Sequence, residues 1–207
     1  MFLIRFFIQF PILLFSITVH EFAHGYVAYK KGDDTAKIYG RLTLNPLAHI
    51  DPIGTLLLPI IAMLSGAPLF GWAKPVPVNP LRLTRKDMLF VGLAGPLANI
   101  LLAVACSFIV WFFRSFHIDG IFRLMFTYGV IINIVLAIFN LIPVPPLDGS
   151  RIIAGLLPEE LAYKYESITP YGFFIIIVLF ASGLLWGIIG PIVRFLISWF
   201  LGGGYFG

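Results

Sequence analysis

The chain has 207 residues, of which 59% are hydrophobic and only 12% are charged. Soluble globular domains carry about 25% charged residues, so this composition, with a mean hydropathy of +0.97, excludes an ordinary water-soluble domain and indicates a protein whose solvent is lipid. The net charge of +4 does not indicate nucleic-acid binding, because the Lys and Arg residues form short clusters between apolar runs, as in loops that face lipid headgroups.

The first apolar stretch, residues 2–29, exceeds the roughly 20 helical residues that cross a bilayer, and it contains His20, Glu21 and His24 as His-Glu-x-x-His. On a helix, positions i and i+4 share one face, so the two imidazoles can converge on one zinc ion while Glu21 reaches a metal-bound water. A carboxylate is costly to insert into a membrane helix, so Glu21 is expected to have a partner. The alternative is a helix end whose polar side chains reach the membrane interface.

An insertion, residues 42–80, follows this helix. His49 and Asp51 within it could form a lid or lie behind the metal ligands, but the Asn-Pro and Asp-Pro pairs around them predict a plain turn equally well. Residues 53–64 are apolar, short and interrupted by Pro59, which favours a re-entrant or interfacial segment over a crossing. The prolines in residues 74–80 predict an extended or edge-strand segment.

Three further apolar stretches, residues 88–113, 122–142 and 171–200, are long enough to span a membrane. Glycines and Pro191 interrupt the last one, so a span followed by a second, interfacial helix is one reading of it. The sequence therefore predicts an all-α polytopic membrane protein with about four to six transmembrane or half-membrane helices. We expect one membrane-embedded domain over residues 1–207, with a core at 1–155, the insertion at 42–80 and C-terminal helices at 156–207.

A zinc site with two histidines needs at least a third protein ligand. Asp148 is a better candidate than His49 or His117, because it directly follows an apolar span and nearby prolines turn the chain. Gly149 permits close backbone approach beside it. Taken alone, an Asp-Gly pair after a helix is typical of a simple turn.

Three motifs together resemble the site-2 proteases, a family of intramembrane zinc metallopeptidases. They are His20-Glu21-x-x-His24, Gly95-Pro96-x-x-Asn99, and Asn140-x-x-Pro143 leading to Leu147-Asp148-Gly149. The resemblance implies one zinc ion held by His20, His24 and Asp148, with Glu21 as general base and Asn99 as a polar residue near the site. Asn99 fits a helix–helix hydrogen bond equally well. Asn140 and His49 are further candidates for contacts with substrate or with the metal ligands.

The resemblance requires the histidines and Asp148 to lie on the same side of the membrane. The spans 88–113 and 122–142 supply two crossings between them, so residues 53–64 must not cross. Under this layout ten Lys and Arg residues face the side of the active site and three or four face the other, which orients the active site toward the cytoplasm. We expect an integral protein of a bacterial inner membrane.

Three classes of function are compatible with these residues. The first is an intramembrane zinc metalloendopeptidase, acting on transmembrane-segment substrates in regulated proteolysis or in turnover of membrane-protein and signal-peptide remnants. The second is a catalytically silent relative that binds membrane helices as a chaperone or scaffold. The third, a metal transporter, would need polar residues along a path through several spans, and here they gather at one depth. The expected partners are a transmembrane protein or peptide and the lipid bilayer, with no nucleic acid; the sequence indicates no oligomeric state.

Overall fold

The computed structural model describes residues 2–66 and 71–203, and every regular element within these ranges is helical. The α-helices are α1 (Phe2–Lys30), α2 (Thr35–Ile38), α3 (Leu58–Ser65), α4 (Arg85–Ser115), α5 (Ile121–Asn140), α6 (Asp148–Leu156), α7 (Glu159–Glu166), α8 (Thr169–Ala181) and α9 (Leu184–Phe200). A short 3-10 helix, Pro46–His49, and a π-helical turn, Pro52–Leu57, lie in the insertion, and a second 3-10 helix, Pro80–Arg82, begins at its end.

Within the described residues, three helices, α1, α4 and α5, are long and apolar enough to cross a membrane, and the pair α7 and α8, bent by 64°, is a fourth candidate span. Many large apolar side chains lie exposed on these and the C-terminal helices, among them Phe7, Trp111, Phe173 and Phe195. Such exposure is costly in water and expected in lipid. The prediction of an all-α polytopic membrane protein is confirmed.

The stretch predicted at residues 171–200 forms two helices, because the chain turns at Gly183, which has a left-handed φ of 75°. The second of these, α9, packs against α4 and α5. Val193 and Ile197 of α9 share an apolar cluster with Ala103 of α4 and with Val130 and Ile134 of α5. The three helices thus bury an apolar cluster between them.

The insertion is re-entrant in shape, because its returning part is hydrogen-bonded to its outgoing part. The apolar helical segment 52–65 is shorter than a bilayer crossing. Beyond it, the Trp72 N–H donates to the Gly54 carbonyl at 3.1 Å, and the Lys74 N–H donates to the His49 carbonyl at 2.9 Å. Both ends of the segment therefore lie at the same level of the fold, as the predicted re-entrant insertion requires. Phe70 and the three residues before it lie outside the described residues.

Helix α6 reaches the bundle because two glycines allow close backbone contact with α4. A Cβ atom on Gly92 of α4 would lie 3.1 Å from the Asp148 carbonyl oxygen, and one on Gly155 of α6 would lie 2.6 Å from the Leu89 Cβ. The Arg85 side chain adds to this contact by donating to the carbonyls of Ala154 and Leu157. Asp148, the first residue of α6, is thereby held against α4.

Asp33 fastens the far end of the insertion to the loop after α1. Its carboxylate is fully buried; Oδ1 accepts from the Thr35 N–H at 3.1 Å and Oδ2 accepts from the Asn79 N–H at 2.7 Å. Burial opposes ionisation, but the hydrogen bonds from Thr35 and Asn79 outweigh it and hold the pKa of Asp33 below its usual value. The ionised form is therefore the one that stabilises the fold.

Replacing Asp33 by Asn should destabilise the protein at neutral pH by about 1 to 3 kcal/mol, the range for hydrogen bonds to a charged group. A depressed folded-state pKa contributes stability above the pKa of the unfolded chain, and this contribution disappears as pH falls through the folded-state value. Thermal unfolding in detergent should thus show a deficit for Asp33→Asn at pH 7 that shrinks below about pH 4. A deficit that does not change with pH would contradict a role for the charge.

Candidate metal centre

Helix α1 brings His20 and His24 together one turn apart, with their Nε2 atoms 3.0 Å from each other. Asp148, from the start of α6, completes the group: its Oδ2 lies 3.0 Å from His20 Nε2 and 3.1 Å from His24 Nε2. All three residues are buried, with exposed fractions of 6%, 3% and 6%. The structure thus brings together the three side chains predicted as metal ligands, although 124 positions separate His24 from Asp148.

The second nitrogen of each imidazole faces a hydrogen-bond acceptor. His24 Nδ1 lies 2.6 Å from the Val91 carbonyl oxygen, and His20 Nδ1 lies 2.6 Å from Asn99 Oδ1. A carbonyl oxygen can only accept, so both Nδ1 atoms carry a hydrogen, and each Nε2 atom presents a lone pair in the neutral imidazole, the form that binds a metal. This is the arrangement that fixes the tautomer of metal-binding histidines.

This donor set fits zinc. Two Nε2 atoms, each with a lone pair when its imidazole is neutral, and a carboxylate oxygen face one another at 3.0–3.1 Å, so a cation among them relieves their mutual repulsion. Tetrahedral zinc with ligand bonds of about 2.0 to 2.1 Å places its ligand atoms roughly 3.3 Å apart, which is close to the spacing observed. Three protein ligands leave one coordination position open, as catalytic zinc sites do.

A buried hydrogen-bond network lies on the Nδ1 side of the His20 ring. The Asn99 Nδ2 donates to Asn133 Oδ1 at 2.8 Å and to the Ser16 carbonyl at 3.3 Å, and Asn133 Nδ2 donates to Ser16 Oγ at 2.9 Å. Asn99, Asn133 and Ser16 come from α4, α5 and α1, so the network ties three helices to one imidazole. Asn99 thus has both roles considered for it, contact with His20 and helix–helix hydrogen bonding. Sequence reasoning missed Asn133 and Ser16.

Gly95 forms the wall of the site on α4. A Cβ atom at this position would lie 2.4 Å from His24 Nε2 and 2.6 Å from His20 Nε2, the two atoms that face Asp148. Only a residue without a side chain fits there. The sequence contained Gly95 in a motif, but nothing in the motif indicated that its missing side chain makes room for the metal-facing nitrogens.

The second carboxylate oxygen of Asp148, Oδ1, faces the guanidinium of Arg151 on the same helix. Arg151 Nη1 lies 3.6 Å from Asp148 Oδ1, while Oδ2 faces the imidazoles. The guanidinium is partly exposed, so the attraction is screened. Arg151 entered the sequence reasoning only as a positive loop charge, and its position three residues after Asp148 was the available signal.

Glu21 follows His20 on α1 and is half-buried. Its Oε2 accepts a hydrogen bond from the backbone N–H of Val76, in the returning part of the insertion, at 2.8 Å. The partner expected for a carboxylate at this depth is therefore a backbone amide.

The structure does not place Asn140, His49 or Asp51 in the group formed by His20, His24 and Asp148. The Asn140 Nδ2 donates to the Leu136 carbonyl of its own helix at 2.9 Å. His49 is fully buried, and its Nε2 lies 2.9 Å from the Thr43 carbonyl oxygen. Asp51 accepts from the N–H groups of Ile53 and Gly54, so it caps the π-helical turn. For Asn140 and His49, roles toward substrate or metal ligands stay predictions.

Comparison with known proteins agrees with this chemistry. The sequence profile described as Peptidase family M50 matches residues 115–180, which include Asp148. YwhC of Bacillus subtilis (strain 168) is 42% identical over 181 residues, covering 83% of this chain and 79% of YwhC. Rip2 of Mycolicibacterium smegmatis is 31% identical over 175 residues, covering 83% of this chain and 66% of Rip2.

An archaeal protein is also similar. MJ0392 of Methanocaldococcus jannaschii is 30% identical over 158 residues, covering 75% of this chain and 36% of MJ0392. The names of all three relatives contain the words zinc metalloprotease. No solved structure matches the chain.

Proposed function

Since this chain belongs to peptidase family M50, the family of the site-2 proteases, we propose that it cleaves peptide bonds in transmembrane segments at a zinc ion held by His20, His24 and Asp148. The chain is a zinc metalloendopeptidase and an integral membrane protein. The observation that carries the proposal is the buried triangle of two Nε2 lone pairs and one carboxylate oxygen.

Hydrogen bonds fix the orientation of both histidine side chains. The Nδ1 hydrogens of His20 and His24 are donated to Asn99 and Val91, which aims both Nε2 lone pairs at one point. Asp148 supplies the negative charge that balances part of the charge of a divalent cation. When bound there, zinc acts as a Lewis acid toward the scissile carbonyl and lowers the pKa of a water molecule to about 7.

Glu21 serves as general base and then as general acid. Its carboxylate takes a proton from the attacking water and returns that proton to the leaving amine. Glu21 is well suited to this because it neighbours His20 on α1 but does not belong to the group of three ligand atoms. Its hydrogen bond with Val76 leaves Oε1 for the proton.

The substrate is a membrane helix whose backbone becomes accessible. In lipid, every backbone carbonyl of a helix is bonded internally, so the scissile peptide must unwind before its carbonyl can be attacked. The proline-rich segment, residues 70–80, is predicted from the sequence to present an edge that pairs with such a peptide. That segment uses the N–H groups of Trp72, Lys74 and Val76 within its own chain, and Pro75 and Pro77 have no N–H to offer.

The test uses the full chain in liposomes that contain a synthetic transmembrane peptide. We expect cleavage that a zinc chelator stops and that added zinc restores. Metal analysis should find one zinc per chain in the wild type and little in His24→Ala or Asp148→Ala. Full zinc content in Asp148→Ala would remove Asp148 from the ligand set, and chelator-resistant cleavage would refute the zinc mechanism.

We further propose that the site faces the cytoplasm, because residues 30–87 and 143–170, which lie on the side of the active site in this layout, carry ten of the fourteen Lys and Arg residues. The return of the insertion to Gly54 supports this layout, since it adds no crossing between the histidines and Asp148. A reporter fused after Pro80 should therefore report a cytoplasmic location. A signal from the opposite side would mean that the layout is wrong.

A further inference from the structure

The segment Gly71–Asn79, named here the strap, lies against α1 and is anchored through its backbone. The N–H groups of Trp72 and Lys74 bond to carbonyls of the outgoing part of the insertion, and the Asn79 N–H bonds to Asp33. Between these anchors, the Val76 N–H bonds to Glu21 Oε2 at 2.8 Å. Three of these contacts fasten the insertion to the fold, whereas the fourth is made to the proposed general base.

The sequence of the strap leaves one backbone N–H donor opposite Glu21. Pro75 and Pro77 flank Val76, and proline has no backbone N–H and a fixed φ near −65°. Within residues 75–77, the Val76 N–H is therefore the only backbone donor, and the stiff prolines on either side limit its movement. The run of prolines that predicted an extended segment thus delivers a single N–H to Glu21.

The Val76 side chain contacts α1 on the same face as Glu21. Positions 21 and 25 are one helical turn apart, and Gly25 has no side chain to keep the strap away. A Cβ atom on Gly25 would lie 2.9 Å from Val76 Cγ1, and Val76 is 6% exposed. Val76 is thus held at two points of one helix face, its N–H on Glu21 and its side chain over Gly25.

We propose that the backbone N–H of Val76 positions the Glu21 carboxylate for proton transfer; this inference rests on the general-base role proposed for Glu21. A glutamate side chain has three rotatable bonds, and a base acts efficiently only within hydrogen-bond reach of the proton that it takes. The bond to Oε2 fixes the carboxylate and leaves Oε1 for the attacking water. Val76 itself touches neither substrate nor metal in this role.

Cleavage of a transmembrane peptide by the full chain in liposomes tests this. Val76→Pro removes the N–H, and the matched control Val78→Pro adds a proline where the N–H makes no hydrogen bond to any other described residue. We expect kcat to fall about 10- to 100-fold in Val76→Pro, the effect of losing a hydrogen bond to a charged group, with KM and zinc content unchanged. Val78→Pro, the control, should retain kcat within a few-fold.

An amide-to-ester replacement at position 76, which exchanges N–H for oxygen and keeps the valine side chain, gives the same test if Val76→Pro does not fold. It should lower kcat in the same way. An unchanged kcat in the ester, with the wild type active and Glu21→Gln inactive, would overturn the positioning role alone. A changed KM with unchanged kcat would also overturn it, because it would place the N–H in substrate binding. Full activity of Glu21→Gln would instead refute the proposed function.

Discussion

Replacing Gly95 by Ala should weaken zinc binding strongly while leaving the fold intact. The added Cβ would lie 2.4 Å from His24 Nε2 and 2.6 Å from His20 Nε2, which is closer than non-bonded atoms approach. The backbone of α4 cannot retreat freely, because Val91 and Asn99 of the same helix hold both imidazoles. The histidines must therefore turn away from Asp148, and we expect zinc affinity to fall about 100-fold or more, at or beyond the upper end of the loss seen when groups behind metal ligands are removed.

Gly187→Ala is the matched control, because a Cβ at Gly187 in α9 would meet nothing within 4 Å. Alanine is favoured over glycine within a helix by about 1 kcal/mol, so neither variant should lower helix content. Competition with a chelator of known affinity measures the effect, and circular dichroism checks the fold. Wild-type zinc affinity in Gly95→Ala would show that the α4 backbone can move to admit the added Cβ. The absence of a side chain at position 95 would then not be required for zinc binding.

Replacing Glu21 by Gln should remove cleavage and keep zinc. The amide oxygen of Gln can still accept from the Val76 N–H, so the strap stays in place while the base is lost. A general base contributes about 10²- to 10⁴-fold to rate, so kcat should fall by that amount. A neutral amide is cheaper to bury in a membrane helix than a carboxylate, so stability should not fall.

This variant separates a peptidase from a helix-binding relative with the same metal site. Cleavage of a transmembrane peptide and zinc content, measured on the same preparation, provide both readouts. Undiminished cleavage by zinc-loaded Glu21→Gln would refute the mechanism. Binding of the peptide should persist in Glu21→Gln, because the change removes a proton acceptor and alters no apolar surface.

The grouping of the three proposed ligands was predictable because their chemistry is visible along the chain. His20 and His24 lie one turn apart in an apolar helix, where polar side chains are costly, and Asp148 follows a span of suitable length. The meeting of these residues depends on the short segment 52–65 returning instead of crossing, and its length indicated that. The break at Gly183 was also indicated, by the glycines of the last apolar stretch.

The hydrogen-bond partners of Asn99 and Glu21 were not predictable in the same way. Asn133 and Ser16 belong to no motif, and their contact with Asn99 depends on how α1, α4 and α5 rotate against one another. The Val76 contact involves a backbone N–H, which every residue except proline has, so residue type gave no signal for it. Asn140 belongs to a motif, yet in the structure its side chain bonds to its own helix.

The separation of 124 positions between His24 and Asp148 has a consequence for biosynthesis. A nascent chain that has emerged only as far as α5 has two of the three proposed ligands, and two ligands do not make a zinc site of the protein type. The two imidazoles can be surrounded by α4 and α5 before the carboxylate arrives with α6. With the proposed ligand set, the complete zinc site can therefore form only after α6 has been synthesised and has packed against α4.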